Sequence, residues 1–355
     1  MAADITPRQS QVIDWLRFPL AAAVVLLHAG ESTTGVYDAD FYGTLRIILS
    51  QGICRIAVPC FFLFSGFLFF SDMKEWNAQV WLGKIKKRCR TLLVPYLLWN
   101  ILALLVGFGY GWLRSRFNAD IVPSSLMEML RDHGWLNIFW ASTYGCPIDY
   151  PLWFIRDLIV FVALTPLVFF FVKYCRIWGL AFLFVVFGLT GSRDLEGLFF
   201  FMLGAYFRIC SVDFMQVFSK AKWPAYLICS VGIALIALTY REHPQIYKYI
   251  KYLFVLAGTV SVVNLASSLL ETGLVSTSAF LSASSFFVYA SHGILILHDI
   301  AHYITLHLLP FAGTTGKCLV LFVKTGLAVG ICLAIFAGMK KWTPKTLGVL
   351  TGNRY

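Results

Sequence analysis

The sequence predicts an all-α polytopic membrane bundle of about ten crossing helices, with room for an eleventh, and composition, hydropathy and segment length carry that expectation. Hydrophobic residues make up 59% of the 355-residue chain and charged residues only 13%, far from the balance of a soluble domain. Mean hydropathy is +0.75. Apolar stretches recur along the whole length, and a helix rising ~1.5 Å per residue needs roughly 20 of them to cross a ~30 Å hydrocarbon core.

In order, the stretches cover roughly 12–30, 45–71, 92–112, 152–173, 177–193, 195–210, 223–240, 250–270, 280–309 and 317–339. The first has the basic start and small residues of a signal peptide, but Asp14 and Arg17 interrupt its apolar core, so it is expected to stay in the protein. Pro59 is expected to kink the second. The fifth and sixth are short and separated only by GSRDLE, as in a tight hairpin or a re-entrant unit, and the ninth is long enough to tilt or break. Residues 113–151 have room for a small helical cap outside the membrane.

Lys and Arg concentrate in alternate connections, among them Arg8, the run Lys84, Lys86, Lys87, Arg88 and Arg90, then Lys220, Lys222, Lys340 and Lys341. That bias predicts both termini on the cytoplasmic side. It also accounts for the net charge of +11 through headgroups and topology, with no nucleic acid as partner. Nine scattered cysteines form no C-x-x-C pair and no zinc-ligand spacing, so neither a disulfide framework nor a metal is expected.

Ionisable residues inside apolar spans are the functional signal, since each costs at least ~2.5–3.5 kcal/mol at the centre of a membrane helix. The first span carries Asp14, Arg17 and His28. Arg17 and His28 stand eleven residues apart, a net rotation of about 20° and a rise of roughly 16 Å, so they share one face. Asp14 is at pairing distance from Arg17, which suits an anion, whereas the imidazole suits proton transfer. In the second span Arg55, Pro59 and Ser65-Gly66 suggest a cavity wall, against the simpler alternative of a snorkelling arginine and a packing contact.

The cationic run 84–90 can hold phosphates or merely set topology. Arg156 and Asp157, ~100° apart on the helix, are expected to join different neighbours, and Trp153 sits at the outer interface. His298 and His302 are an i, i+4 pair without an HExxH pattern, so His292 is the better cavity-lining candidate. Lys324 is a lone cation whose partner is not legible.

The order of these signals resembles membrane-bound acyltransferase family 3, the transmembrane O-acyltransferases that modify cell-surface carbohydrates. IDWLRFPLAAAVVLLH is similar to the family's first-helix Asp-Leu-Arg pattern with His eleven residues after the Arg. RIAVPCFFLFSGFLFF, KKRCRTLLVPYLLW, PLWFIRDLIV and SSFFVYASHGILILH are similar to its later helices, so the resemblance makes residues 1–355 one transmembrane domain. It implies a cytoplasmic acyl-CoA donor, usually acetyl-CoA, an acceptor hydroxyl on a glycan or lipid-linked sugar, and a bacterial inner-membrane location with lipid all round. It makes His28 the catalytic imidazole and Arg17 the family's first-helix arginine, with Asp14 beside it. Arg55, Ser65, Lys87, Arg88 and Arg90 are the expected donor-binding residues, the last two matching by region; Trp153, Arg156 and His292 are the expected acceptor residues. Ser65, Arg156 or His292 is expected to orient His28. The alternative class is a multi-pass transporter of a glycan intermediate or a proton-coupled solute, because intramembrane His, Asp and Arg also build proton relays. A receptor or scaffold has less need of buried charge.

Overall fold

A computed structural model describes residues 5–32, 34–71, 73, 75–117, 128, 130–131, 134, 136–141, 145–308 and 313–353. Among the described residues, eight helices are long and apolar enough to cross a membrane, or nine when Arg193–Ile209 and Phe214–Lys220, bent by 113°, are taken as one span. Much of the expected cap at 113–151 lies outside the described residues.

The ten expected stretches map onto fewer full-length helices because three of them are short or broken. The fourth falls on Trp153–Ala163 and the start of Thr165–Thr190, and the backbone leaves helical geometry inside the latter at Arg176 (φ 47°, ψ −134°). Residues 177–190 then form the fifth. The sixth, Arg193–Ile209, has 17 residues, a little short of a full crossing.

Helix α1 (Pro7–Gly30) is the axis of the bundle. Thr6 and Gln9 form a reciprocal capping box at its start, with Pro7 at the first helical position, so the helix begins sharply despite having no acidic residue in its first turn. It packs against α3 (Ala57–Phe69), α12 (Pro244–Glu271), α13 (Ala279–Ser291) and α15 (Gly313–Trp342). At its first end, the near face, Arg8 pairs with Glu271 at 2.8 Å and Gln9 donates to Asp213 at 3.0 Å. At the far face, Arg46 donates to the Gly30 carbonyl at 2.8 Å and Lys324 to the Ala29 carbonyl at 3.3 Å, so the lone cation serves the carboxyl end of α1.

The second span is irregular just before Pro59, in a π turn (Ile47–Gly52) and a 3₁₀ turn (Ile53–Ile56) that includes Arg55, the residue whose carbonyl a helical N–H at position 59 would have bonded. Beyond it, α3 meets α9 (Arg193–Ile209) on small residues: a Cβ at Gly66 would lie 2.0 Å from the Phe201 carbonyl oxygen, and one at Gly204 would lie 2.0 Å from that of Leu63. The surrounding core is aromatic, with Phe62, Phe67, Phe200 and Phe201 all but fully buried. In the ninth span α13 ends at Ser291 and a π segment (His292–Ala301) follows, with Ile294 and Leu295 outside helical geometry, so this stretch breaks rather than tilts.

Candidate functional site

Two cavities lie along α1, one at each end of the Arg17–His28 stripe. The near-face cavity is about 520 Å³ and is lined by Arg17, Ser65, Lys84, Lys87 and Arg88 over a wall of Phe61, Phe64 and Phe154. No carboxylate among the described residues lines it. The two guanidiniums of Arg17 and Arg88 are close enough to repel one another. Asp14 does pair with Arg17, at 3.0 Å, yet both side chains are about two-fifths exposed, where such pairs contribute at most ~1 kcal/mol. The cavity therefore keeps an excess of cationic donors, four in all, suited to a ligand with several phosphate charges.

The far-face cavity, about 190 Å³, is lined by His28, Arg55, Trp153, Arg193, Glu196 and Lys251. His28 Nδ1 is 3.4 Å from a carboxylate oxygen of Glu31, whose other oxygen accepts from Arg55 at 2.8 Å. Arg55 is itself fixed by the Ser50 carbonyl at 3.1 Å and Gln51 at 3.0 Å, both supplied by the π turn. Burial alone would raise the Glu31 carboxyl, but the hydrogen bond from His28 and the charges of Arg55 and His28 outweigh it and hold it down at about 2. With Nδ1 turned toward the anionic Glu31 carboxylate, Nε2 is the nitrogen of His28 that faces away from it.

Two further rings hold the imidazole. His292 stacks on it with centroids 5.5 Å apart and planes 26° apart, and Tyr150 meets it edge-on at 4.8 Å. His292 Nδ1 bonds the Tyr289 carbonyl at 2.8 Å, while its Nε2 is buried without a hydrogen-bond partner among the described residues. Tyr150 also contacts His298 Nε2 through its hydroxyl at 3.1 Å. No cluster of three or more metal-ligating side chains forms among the described residues.

The expected residues therefore divide between two places. Arg17, Ser65, Lys87 and Arg88 gather at the near-face cavity, whereas Arg55 stands beside His28 instead of with that set. Arg90 is exposed and lines neither cavity. Trp153 lines the far-face cavity, covered by the Arg193 guanidinium at 4.3 Å from its ring. Arg156 lines neither: it folds back on its neighbour Asp157 at 2.7 Å and spends its remaining donors on the carbonyls of Trp140 (2.6 Å) and Gly145 (2.8 Å). Expecting Arg156 and Asp157 to face different partners overlooked how far a guanidinium reaches along its own helix. Of the three residues expected to orient His28, only His292 touches it among the described residues, by ring stacking, and the carboxylate contact comes from Glu31. It lies three residues after His28, the spacing already used for Asp14 and Arg17, but just past the end of α1, where it reads as a loop residue.

Residues 11–337 match the family described as the acyltransferase domain of the acyltransferase 3 type. Over 376 aligned positions, covering 100% of this chain and 94% of the relative, the sequence is 26% identical to the succinoglycan biosynthesis protein ExoH of Rhizobium meliloti (strain 1021). No solved structure matches the chain. With the match spanning nearly the whole length and the charged stripe of the first helix inside it, the chain belongs to the acyltransferase 3 family of integral membrane acyltransferases.

Proposed function

We propose that this protein moves an acyl group, most simply acetyl, from a cytoplasmic CoA thioester to a hydroxyl of a cell-envelope polysaccharide or its lipid-linked precursor, with His28 as general base. The observation that carries the reading is the separation of roles along α1. A carboxylate-free cationic cavity sits at one end and an imidazole oriented by Glu31 sits in a second cavity at the other. Arg17, Lys84, Lys87 and Arg88 hold the phosphates of the donor, and its slender arm covers the ~16 Å along the helix between Arg17 and His28. His28 Nε2 takes the proton of the acceptor hydroxyl. The hydroxyl oxygen bonds the thioester carbonyl carbon, the C–S bond breaks, and the proton returns to the CoA sulfur. Trp153, with the cation of Arg193 over its ring, offers the sugar an apolar face at the far-face mouth.

The name of the relative supports a polysaccharide acceptor. The near face carries the 84–90 run and the lysines at 340 and 341, which supports both termini being cytoplasmic, and the bacterial source of the relative supports an inner membrane. The test is His28→Ala in proteoliposomes supplied with acetyl-CoA and envelope glycan. The variant is expected to keep the wild-type thermal midpoint and to lose about 10²–10⁴-fold in transfer. Wild-type transfer by His28→Ala would overturn the assignment. Acetyl-CoA consumption only under an imposed ion gradient would favour a transporter.

A further inference from the structure

Tyr289 borders both cavities, and the chemistry above gives it no part. The partition between the cavities is aromatic. Phe154 faces the near side and Phe62 the far side, with ring centroids 4.6 Å apart, and Tyr289 closes on Phe154 at 5.9 Å. All three rings are buried. The Tyr289 hydroxyl donates to the carbonyl of Pro151, so one neutral hydrogen bond ties α13 to the 3₁₀ turn Tyr150–Leu152, the same turn that presses Tyr150 against His28.

The helix side of that bond is irregular, and the turn side is held through its backbone, where the Asp149 N–H donates to Asn100 at 3.1 Å. Three residues past Tyr289 the α-helix becomes the π segment, in which Leu295 holds a left-handed φ of 60°, an uncommon conformation for a residue with a Cβ. On the other side, Asp149 is buried with neither carboxyl oxygen hydrogen-bonded among the described residues, so its side chain adds nothing there to that backbone anchor.

We propose that Tyr289 is the door between the donor cavity and the His28 cavity. Its tether to Pro151 seals the thioester from far-face water, and its release admits the acyl-bearing arm to His28. Tyr289 is thus a positioning residue, a role that rests on the division of donor and acceptor proposed above.

The test separates the door from the donor. Ser285→Cys places a thiol on the near-face cavity, and a membrane-impermeant methanethiosulfonate is applied from one side of proteoliposomes at a time, with labelling of the protein without this substitution subtracted. With Tyr289 intact, labelling is expected from the near face only. Adding Tyr289→Ala is expected to speed far-face labelling at least tenfold, and adding Tyr289→Phe, which keeps the ring and loses the tether, several-fold. Far-face labelling unchanged in both would overturn the door; if Tyr289→Ala does not fold, Tyr289→Phe decides alone.

In the enzymatic arm, Tyr289→Phe is expected to raise glycan-independent acetyl-CoA hydrolysis relative to transfer several-fold at an unchanged donor KM. A merely structural role would lower hydrolysis and transfer together and would count against the proposal. Opened labelling in a protein that never consumes acetyl-CoA would uphold the door and remove the CoA reading.

Discussion

Glu31→Gln is the sharpest probe of the site, because it keeps the side chain's shape and one acceptor oxygen while removing the charge shared between His28 and Arg55. A hydrogen bond to a charged group contributes about 1.5–3 kcal/mol. The His28 contact is long at 3.4 Å and Glu31 is about one-third exposed, which places it in the lower part of that range, about 1.5–2.2 kcal/mol. At about 1.4 kcal/mol per factor of ten, kcat for transfer should fall about 10- to 40-fold. Donor KM should hold, since Glu31 lies outside the cationic cavity. Steady-state transfer assays at varied acetyl-CoA measure both. A full wild-type kcat in Glu31→Gln would refute the view that this carboxylate orients the base. The same variant has a pH signature. The Glu31 carboxyl titrates at about 2 in the fold against about 4.3 in an unfolded chain, so its stabilisation is fully present above the unfolded value and is lost as pH falls toward 2. The difference in thermal midpoint between wild type and Glu31→Gln should be constant above about pH 5.5 and shrink on acidification toward pH 2.

Two other substitutions should act on the fold rather than on the chemistry. Arg156→Ala leaves Asp157 unpaired in a buried site and frees two carbonyls, so a stability loss of about 3–5 kcal/mol is expected, read as a lowered thermal midpoint. Unchanged stability with a raised acceptor KM would return Arg156 to the acceptor site. Gly204→Ala would drive a methyl to 2.0 Å from the Leu63 carbonyl oxygen, and separating α3 from α9 should cost at least the ~1–3 kcal/mol of an overpacked core. An unaltered midpoint would show that the two helices are not in contact there.

The class of the fold and the anomalous charge on the first helix were legible in the sequence. Hydropathy and length are summed over many residues, and a charge inside an apolar run is anomalous wherever its neighbours turn out to be. Arg17 stands out in this way, Ser65 as half of a small pair, and Lys87 and Arg88 as part of a cationic run, and all four line one cavity. What the sequence could not hold is which cavity each residue faces. Arg55 joins His28 because the π and 3₁₀ turns before Pro59 rotate it there, and the pitch of an ideal helix does not foresee those turns. Glu31 was passed over because its contact with His28 crosses the end of α1, where periodicity stops. Arg156 was misjudged because Cα spacing fixes where a side chain starts and not where a long guanidinium ends. Tyr289 carries no charge and lies in an aromatic run, so only the juxtaposition of α13, α3 and the 150–152 turn gives it a role. Local chemistry and periodicity are properties of the chain, whereas the partition between two cavities belongs to helices brought together from distant parts of it.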